Sequence, residues 1–258
     1  QIPAASSSTH SGKWEKSKFM GIELTAKTLG VIGAGNIGTI VCDRALGLKM
    51  KVIAYDPYLS DGRATKLGIA KVSLNELLAQ SDFITLHVPL TEQTRNIIDS
   101  KAIKKLKSGA IVINCARGGL VDEQALADAI LKNKIAGAAF DVFEKEPATD
   151  SPLFNIPNVV VTPHLGAATS EAQENVAIQI AEQMSEFLLK GAVSNALNMP
   201  SVTAEEALVM HPWLKLAENL GAFTGQMTEE PILQIQITYN GVLKNLNLDA
   251  LNCVAIAG

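Results

Sequence analysis

Cysteine is scarce and scattered: Cys42, Cys115 and Cys253 are the three in 258 residues. None has the close spacing of a metal site or a disulfide framework, so all three are expected to be free thiols in a reducing cytoplasm. Long apolar runs are missing as well. No stretch approaches the ~18 residues of a membrane span, and the N-terminus lacks a charged-then-apolar leader. Charge of one sign is also absent in any excess. The 22 basic and 26 acidic side chains leave −4 at pH 7, which gives no reason to expect nucleic acid or an anionic membrane as partner. Internal repeats and low-complexity tracts are lacking too. What remains is a globular composition, 47% hydrophobic and 19% charged, long enough for one large domain or two smaller ones.

The stretch that organises the rest is residues 28–56, TLGVIGAGNIGTIVCDRALGLKMKVIAYD. Leu29 to Ile32 is short, branched and ended by glycine, as a buried parallel strand is. Gly33, Gly35 and Gly38 form G-x-G-x-x-G, and a helix pattern follows from Asn36 to Leu48. Lys51 to Tyr55 reads as a second strand, ended by Asp56. Gly33 permits the tight turn, Gly35 lets backbone approach a pyrophosphate, and Gly38 lets helix and strand pack closely. Free N–H groups and the positive helix end near Asn36 suit phosphates. Asp56 lies near the offset of a ribose-binding acid. A carboxylate there accepts from ribose hydroxyls and repels the 2′-phosphate of NADP. At ~4 Å and an effective dielectric near 20, one charge pair is worth about 4 kcal/mol, so NAD is the expected cofactor. As a turn residue before Pro57, Asp56 has a second reading that is compatible with the first.

Alternating strands and helices continue. Helical segments are expected at Ala64–Leu67, Leu74–Ala79, Ile103–Leu106 and Asp122–Lys132; strands at Asp82–Leu86, Ala110–Asn114, Ala136–Val142 and Val159–Thr162. This pattern predicts an α/β fold with a doubly wound parallel sheet, which binds ligands at the carboxyl ends of its strands. Asp56, His87, Arg117, Glu146 and His164 all follow strand ends. Ser170 opens a long amphipathic packing helix, capped by Thr169 or Ser170 and ended at Lys190-Gly191. Asn198-Met199-Pro200 marks a boundary; His211–Met227 then reads as a helix and Ile232–Tyr239 as a strand. Leu251–Ala257 is a final apolar segment. At the other end, a Ser/Thr-rich helix end leads into a basic arm, where Trp14 and Phe19 either anchor a second subunit or fold back on their own domain.

Candidate chemistry sits on these strand ends. Arg117, between Cys115-Ala116 and Gly118-Gly119, suits a bidentate grip on a carboxylate; it reads equally well as a surface arginine paired with an acid. His164, fixed by Pro163 and Gly166, suits proton exchange near neutral pH. A lone histidine is more often structural, and His87 competes on position, with lining of the cofactor cleft the favoured reading. Glu146 suits a carboxylate partner for the histidine, with Glu144 as its rival; both also read as a solvated turn. His10 reads as solvated, His211 as packing, and Cys115 as a small buried residue and not a nucleophile.

Taken together, GKWEKSKFMG, VIGAGNIG, AYDP, HVPLT, NCARGGLVDE, AAFDVFEKEP and TPHLGAAT resemble the D-isomer-specific 2-hydroxyacid dehydrogenases over the first 195 residues. The resemblance implies Arg117 on the substrate carboxylate and carbonyl, His164 as acid/base and Glu146 as its partner. It implies NAD contacts from Gly33, Gly35, Asn36, Ile37, Gly38, Asp56, His87, Pro89, Thr94, Cys115, Arg117, Asp141, His164 and Gly166, and no metal. Residues 1–20 become an arm from an upstream substrate domain and 21–168 the NAD-binding domain. Residues 169–197 become a helix returning to the substrate domain and 198–258 the start of an intervening regulatory domain. The implied substrate is a phosphorylated 2-hydroxy acid, 3-phosphoglycerate, and the implied assembly a homodimer or higher. Another reductase of the family, acting on glyoxylate or hydroxypyruvate, and a non-catalytic NAD-sensing corepressor are the alternatives. With the upstream substrate domain expected outside this chain, NAD binding without appreciable turnover is expected of the chain alone.

Overall fold

A computed structural model describes residues 1–196, 200–227, 232–241 and 246–257. It divides into two compact units, Gln1–Ala167 and Ala168–Gly258. The first begins with α1 (Ile2–His10) and a single 3-10 turn, Lys16–Phe19. The sheet then forms from β1 (Thr28–Ile32), β2 (Lys51–Tyr55), β3 (Ala70–Lys71), β4 (Phe83–Leu86), β5 (Ala110–Asn114), β6 (Ile135–Phe140) and β7 (Val159–Val161). Between them lie α2 (Asn36–Gly47), α3 (Asp61–Lys66), α4 (Leu74–Gln80), α5 (Ser100–Lys105) and α6 (Glu123–Leu131).

All seven strands are parallel, in the order β3-β2-β1-β4-β5-β6-β7. The order reverses between β1 and β4, as in a doubly wound Rossmann-like sheet. Burial follows the expected logic: Val31, Ile32, Ile84, Leu86 and Val112 are fully enclosed because both faces of the sheet carry helices. Helix starts are chemically marked. Ser73 and Glu76 form a capping box on α4, Asp99 caps α5 and Asp122 caps α6. Ser60 starts α3 at Asp61, a few residues before the expected Ala64.

The second unit contains α7 (Ser170–Lys190), α8 (Ala204–Gln226) and α9 (Leu248–Ala257). Thr169 caps α7, and Gly191 ends it in the left-handed conformation. Val202, Ala207, Met210, Ala250 and Leu251 form its small core. Three expectations are corrected here. The helix expected from His211 begins seven residues earlier, because Thr203 and Glu206 form a capping box and Pro212 is carried inside the helix. His211 is exposed on α8 and lies outside the small core, against the expectation that it packs. Ile232–Tyr239 alternates like a strand yet has no regular structure; among the described residues no strand pairs with it, and alternation without a ladder makes no sheet. The boundary at Asn198-Met199-Pro200 lies, except for Pro200, outside the described residues. Among those residues no helix is long and apolar enough to cross a membrane.

Leu86 is fully buried at the carboxyl end of β4. Leu86→Ala is expected to cost about 2–5 kcal/mol, read as a lower urea midpoint with an unchanged slope in circular dichroism; a loss under about 1 kcal/mol contradicts the close packing of this site.

Candidate active site

The registers of neighbouring strands line up Tyr55, Ile32, Leu86, Asn114, Phe140 and Val161 in a single row across the sheet. One residue further along each strand stand Asp56, Gly33, His87, Cys115, Asp141 and Thr162. The candidate residues therefore share one edge, about 24 Å wide for five strand spacings of roughly 4.8 Å. The crevice between β1 and β4 is the switch point, where this fold class binds dinucleotides.

At that crevice the glycines have separate reasons. Gly33 has φ +95, and a Cβ there would meet the His87 carbonyl oxygen at 2.5 Å. Gly38 lies directly against the Gly33 carbonyl. Gly35, the N-cap of α2, sends no side chain back onto the first helical N–H groups, and a Cβ there meets nothing. Those N–H groups, with Asn36 and Ile37 leading the helix, suit a pyrophosphate. Asp56 is fixed by two backbone donors: the Ala34 N–H reaches Oδ2 at 2.8 Å and the Tyr58 N–H reaches Oδ1 at 2.8 Å. Each oxygen keeps a lone pair for ribose hydroxyls. The glycine loop and the acid thus form one hydrogen-bonded unit that suits NAD.

The other end of the edge carries the titratable pair. His164 Nδ1 lies 2.7 Å from Glu146 Oε2, while Glu146 Oε1 accepts the Phe143 N–H at 2.9 Å. An ionised carboxylate only accepts, so Nδ1 carries the hydrogen and Nε2 is left for proton exchange. The His164 hydrogen bond, then that of Phe143, holds the Glu146 carboxyl below its ordinary range. Glu144, the rival, is exposed and its backbone N–H turns towards Glu123.

His164 itself has φ +54, the left-handed region that a residue other than glycine enters at a cost of order 1–3 kcal/mol. Asp141 holds that conformation. Its Oδ1 accepts the Thr162 hydroxyl at 2.5 Å and the Leu165 N–H at 2.8 Å, and its Oδ2 accepts the Gly166 N–H at 2.9 Å. Burial pushes the Asp141 carboxyl up, but the Thr162, Leu165 and Gly166 donors outweigh it and leave the group below its usual range. Asp141 thus stays charged beneath the histidine loop. Thr162 and this clamp were not legible beforehand; Asp141 was known only by its place in a motif.

Arg117 is exposed on the loop after β5, and its Nη1 donates to the Ala116 carbonyl at 2.6 Å. It shares the edge with His164 across β6, and no hydrogen bond joins them. Buried Asn114 pins this loop: its Nδ2 donates to the Arg117 carbonyl at 2.9 Å and its Oδ1 accepts the Ala116 N–H at 3.1 Å. Gly118 brings the loop backbone directly onto Phe143 and Glu144, where any Cβ would collide with the Phe143 carbonyl. Cys115 is exposed, against the expectation of burial, because it lies one residue past the strand end, beyond the covering helices. Partial desolvation, then the Asp141 charge, pushes its thiol up, so it remains a poor nucleophile. His87 is half-buried at the switch point, with Nε2 3.0 Å from Thr85 Oγ1, and burial pushes its pKa down. It is remote from the Glu146 pair. Thr94 ties its own turn, donating to the Pro89 carbonyl at 2.6 Å and accepting the Thr91 N–H at 2.8 Å. Among the described residues no His, Cys, Asp and Glu cluster could hold a metal.

The family described as "D-isomer specific 2-hydroxyacid dehydrogenase, NAD binding domain" matches residues 1–166. The chain belongs to the D-isomer-specific 2-hydroxyacid dehydrogenases. Its cofactor is NAD. A second match, the "D-3-phosphoglycerate dehydrogenase intervening domain", covers residues 209–258. Over 258 residues, all of this chain, it is 43% identical to the D-3-phosphoglycerate dehydrogenase of Mycobacterium tuberculosis strain H37Rv, of which 48% is covered. It is 44% identical over its full length to the protein of that name from Synechocystis, covering 47% of it. The chain thus spans about half the length of the curated relatives it matches. Among family structures, D-lactate dehydrogenase from Aquifex aeolicus complexed with NAD and lactic acid aligns with a TM-score of 0.66 and 31% identity, over 72% of this chain and 61% of that one.

The lowered Glu146 titration has a stability consequence. A depressed folded-state pKa contributes stability above the unfolded carboxyl value, near 4.3, and loses it as pH falls through the folded value. The melting temperature of the parent is expected to exceed that of Glu146→Gln near pH 6, and the gap to shrink steadily on acidification below about pH 4.3. Thermal melts across that range check this; a constant gap counts against it.

Proposed function

We propose that the complete protein oxidises D-3-phosphoglycerate to 3-phosphohydroxypyruvate with NAD, feeding serine synthesis. The observation that carries the chemistry is the 2.7 Å contact of Glu146 with His164 on the cofactor edge of the sheet. The substrate assignment is supported by relatives of that name at 43–44% identity across the whole chain and by the intervening-domain match at residues 209–258. Glyoxylate or hydroxypyruvate reduction has no such support in the second unit.

In this reading the α2 N-terminus and the glycine loop hold the pyrophosphate, and Asp56 accepts from the adenosine ribose. His87, Pro89, Thr94, Cys115, Asp141 and Gly166 line the remaining cofactor cleft. When bound, NAD supplies the hydride-accepting chemistry. Arg117 grips the substrate carboxylate and polarises the oxygen at C2. His164 takes the hydroxyl proton at Nε2, and Glu146, on Nδ1, orients the ring and stabilises its charged form. Residues 21–168 serve as the NAD-binding domain, 169–197 as the helix returning to the substrate domain, and 198–258 as part of the intervening domain. Trp14, 86% exposed on its basic arm, supports a homodimer contact, and the setting is the cytoplasm.

In the complete protein, His164→Ala is expected to lower kcat by about 10²–10⁴ with little change in NAD affinity. Steady-state rates with 3-phosphoglycerate, beside NAD titration by fluorescence, test it. An unchanged rate removes His164 from the mechanism, and a preference for the unphosphorylated acid favours the other reductases. NAD binding without any hydride transfer favours the sensor.

A further inference from the structure

The loop that carries Glu146 runs through solvent: residues 144–147 are exposed, while Phe143 and Leu153 on either side are buried. An exposed loop cannot hold a carboxylate against an imidazole unless its ends are fixed. Part of the fixation is apolar, since Phe143 and Phe154 meet edge to face with ring centres 5.5 Å apart. The polar part comes from one side chain that the mechanism above does not use. Glu123 Oε1 accepts the Glu144 N–H at 3.0 Å, and Oε2 accepts the Ser151 hydroxyl at 2.7 Å. These bonds reach across 21 and 28 residues of chain to the two ends of the same loop.

Helix capping does not explain them. Asp122 already caps α6, accepting the Ala125 N–H at 2.9 Å. Glu123 follows it in the first turn, where any acid satisfies the helix dipole. Its two oxygens are instead committed to the neighbouring loop. Glu144 N–H also lies where Gly118 presses the Arg117 loop onto Phe143, so the Glu123 carboxylate and the Arg117 loop both meet the Glu146 loop at the Phe143–Glu144 peptide. We infer that Glu123 is a positioning residue that grips both ends of the Glu146 loop and so sets the Glu146–His164 contact. This rests on the function proposed above.

A double-mutant cycle with Glu146→Gln in the complete protein separates this from a purely structural staple. Glu123→Ala lowers kcat about tenfold with the KM for NAD changed less than about twofold, and costs less than about twofold when Glu146 is already Gln. Glu123→Gln stays within about threefold of the parent, because an amide oxygen still accepts from Glu144 and the amide NH2 can donate to Ser151. Losses that multiply in the double variant, or a parental kcat in Glu123→Ala, overturn the role. If Glu123→Ala does not fold, Ser151→Ala, which removes one of the two grips, goes through the same cycle with the same criterion. Glu146→Gln alone keeps the two questions apart. An unimpaired Glu146→Gln overturns the dyad and the positioning role together, whereas an impaired Glu146→Gln beside an unimpaired Glu123→Ala overturns the positioning role alone.

Discussion

Parallel register is the constraint on which everything else depends. Six strands end on one row, from Tyr55 to Val161, so the next residue of each strand emerges on a common rim. Adjacent parallel strands with helical crossovers leave their connections at the two ends of the sheet and nowhere else. Residues up to 108 positions apart, such as Asp56 and His164, thereby come to share a single edge, one towards each end of it. A slip of one residue in any strand would turn its rim residue to the other face. The dense apolar filling of the interior, Leu86 and Val112 included, is what forbids that slip.

Much of this was legible from composition and spacing alone. Three glycines at the right intervals, two branched strands and a terminal acid suffice to locate the switch point, because each residue type answers a local steric or electrostatic need. Element types followed the same way, since a cap such as Thr169 acts within three residues of itself. The unread part is non-local. Glu123 and the Asp141 clamp act across chain separations that carry no period. Cys115 and His211 were misjudged for a related reason: exposure at a strand end or on a helix is set by what lies above it in space. Ile232–Tyr239 shows the limit of periodicity, for alternation describes a surface that needs a partner to become a strand.

The histidine loop shows how an unfavourable backbone is maintained. His164 occupies a region that few side chains enter, and a flexible loop would relax out of it. Asp141 prevents this by taking three donors from the same short segment, so the strained residue is enclosed between fixed neighbours. The imidazole direction is then set twice, from beneath by its own backbone and from the side by Glu146.

Gly118 carries a consequence for how such a site can diversify. Where two main chains touch, with the Arg117 loop against Phe143 and Glu144, no side chain stands between them to be enlarged, shortened or recharged. Point substitution therefore has no purchase on the spacing of these two loops, and they behave as a single rigid part. Divergence in what such a protein accepts has to arise in segments that approach this part from outside, leaving the part itself as the invariant against which they vary.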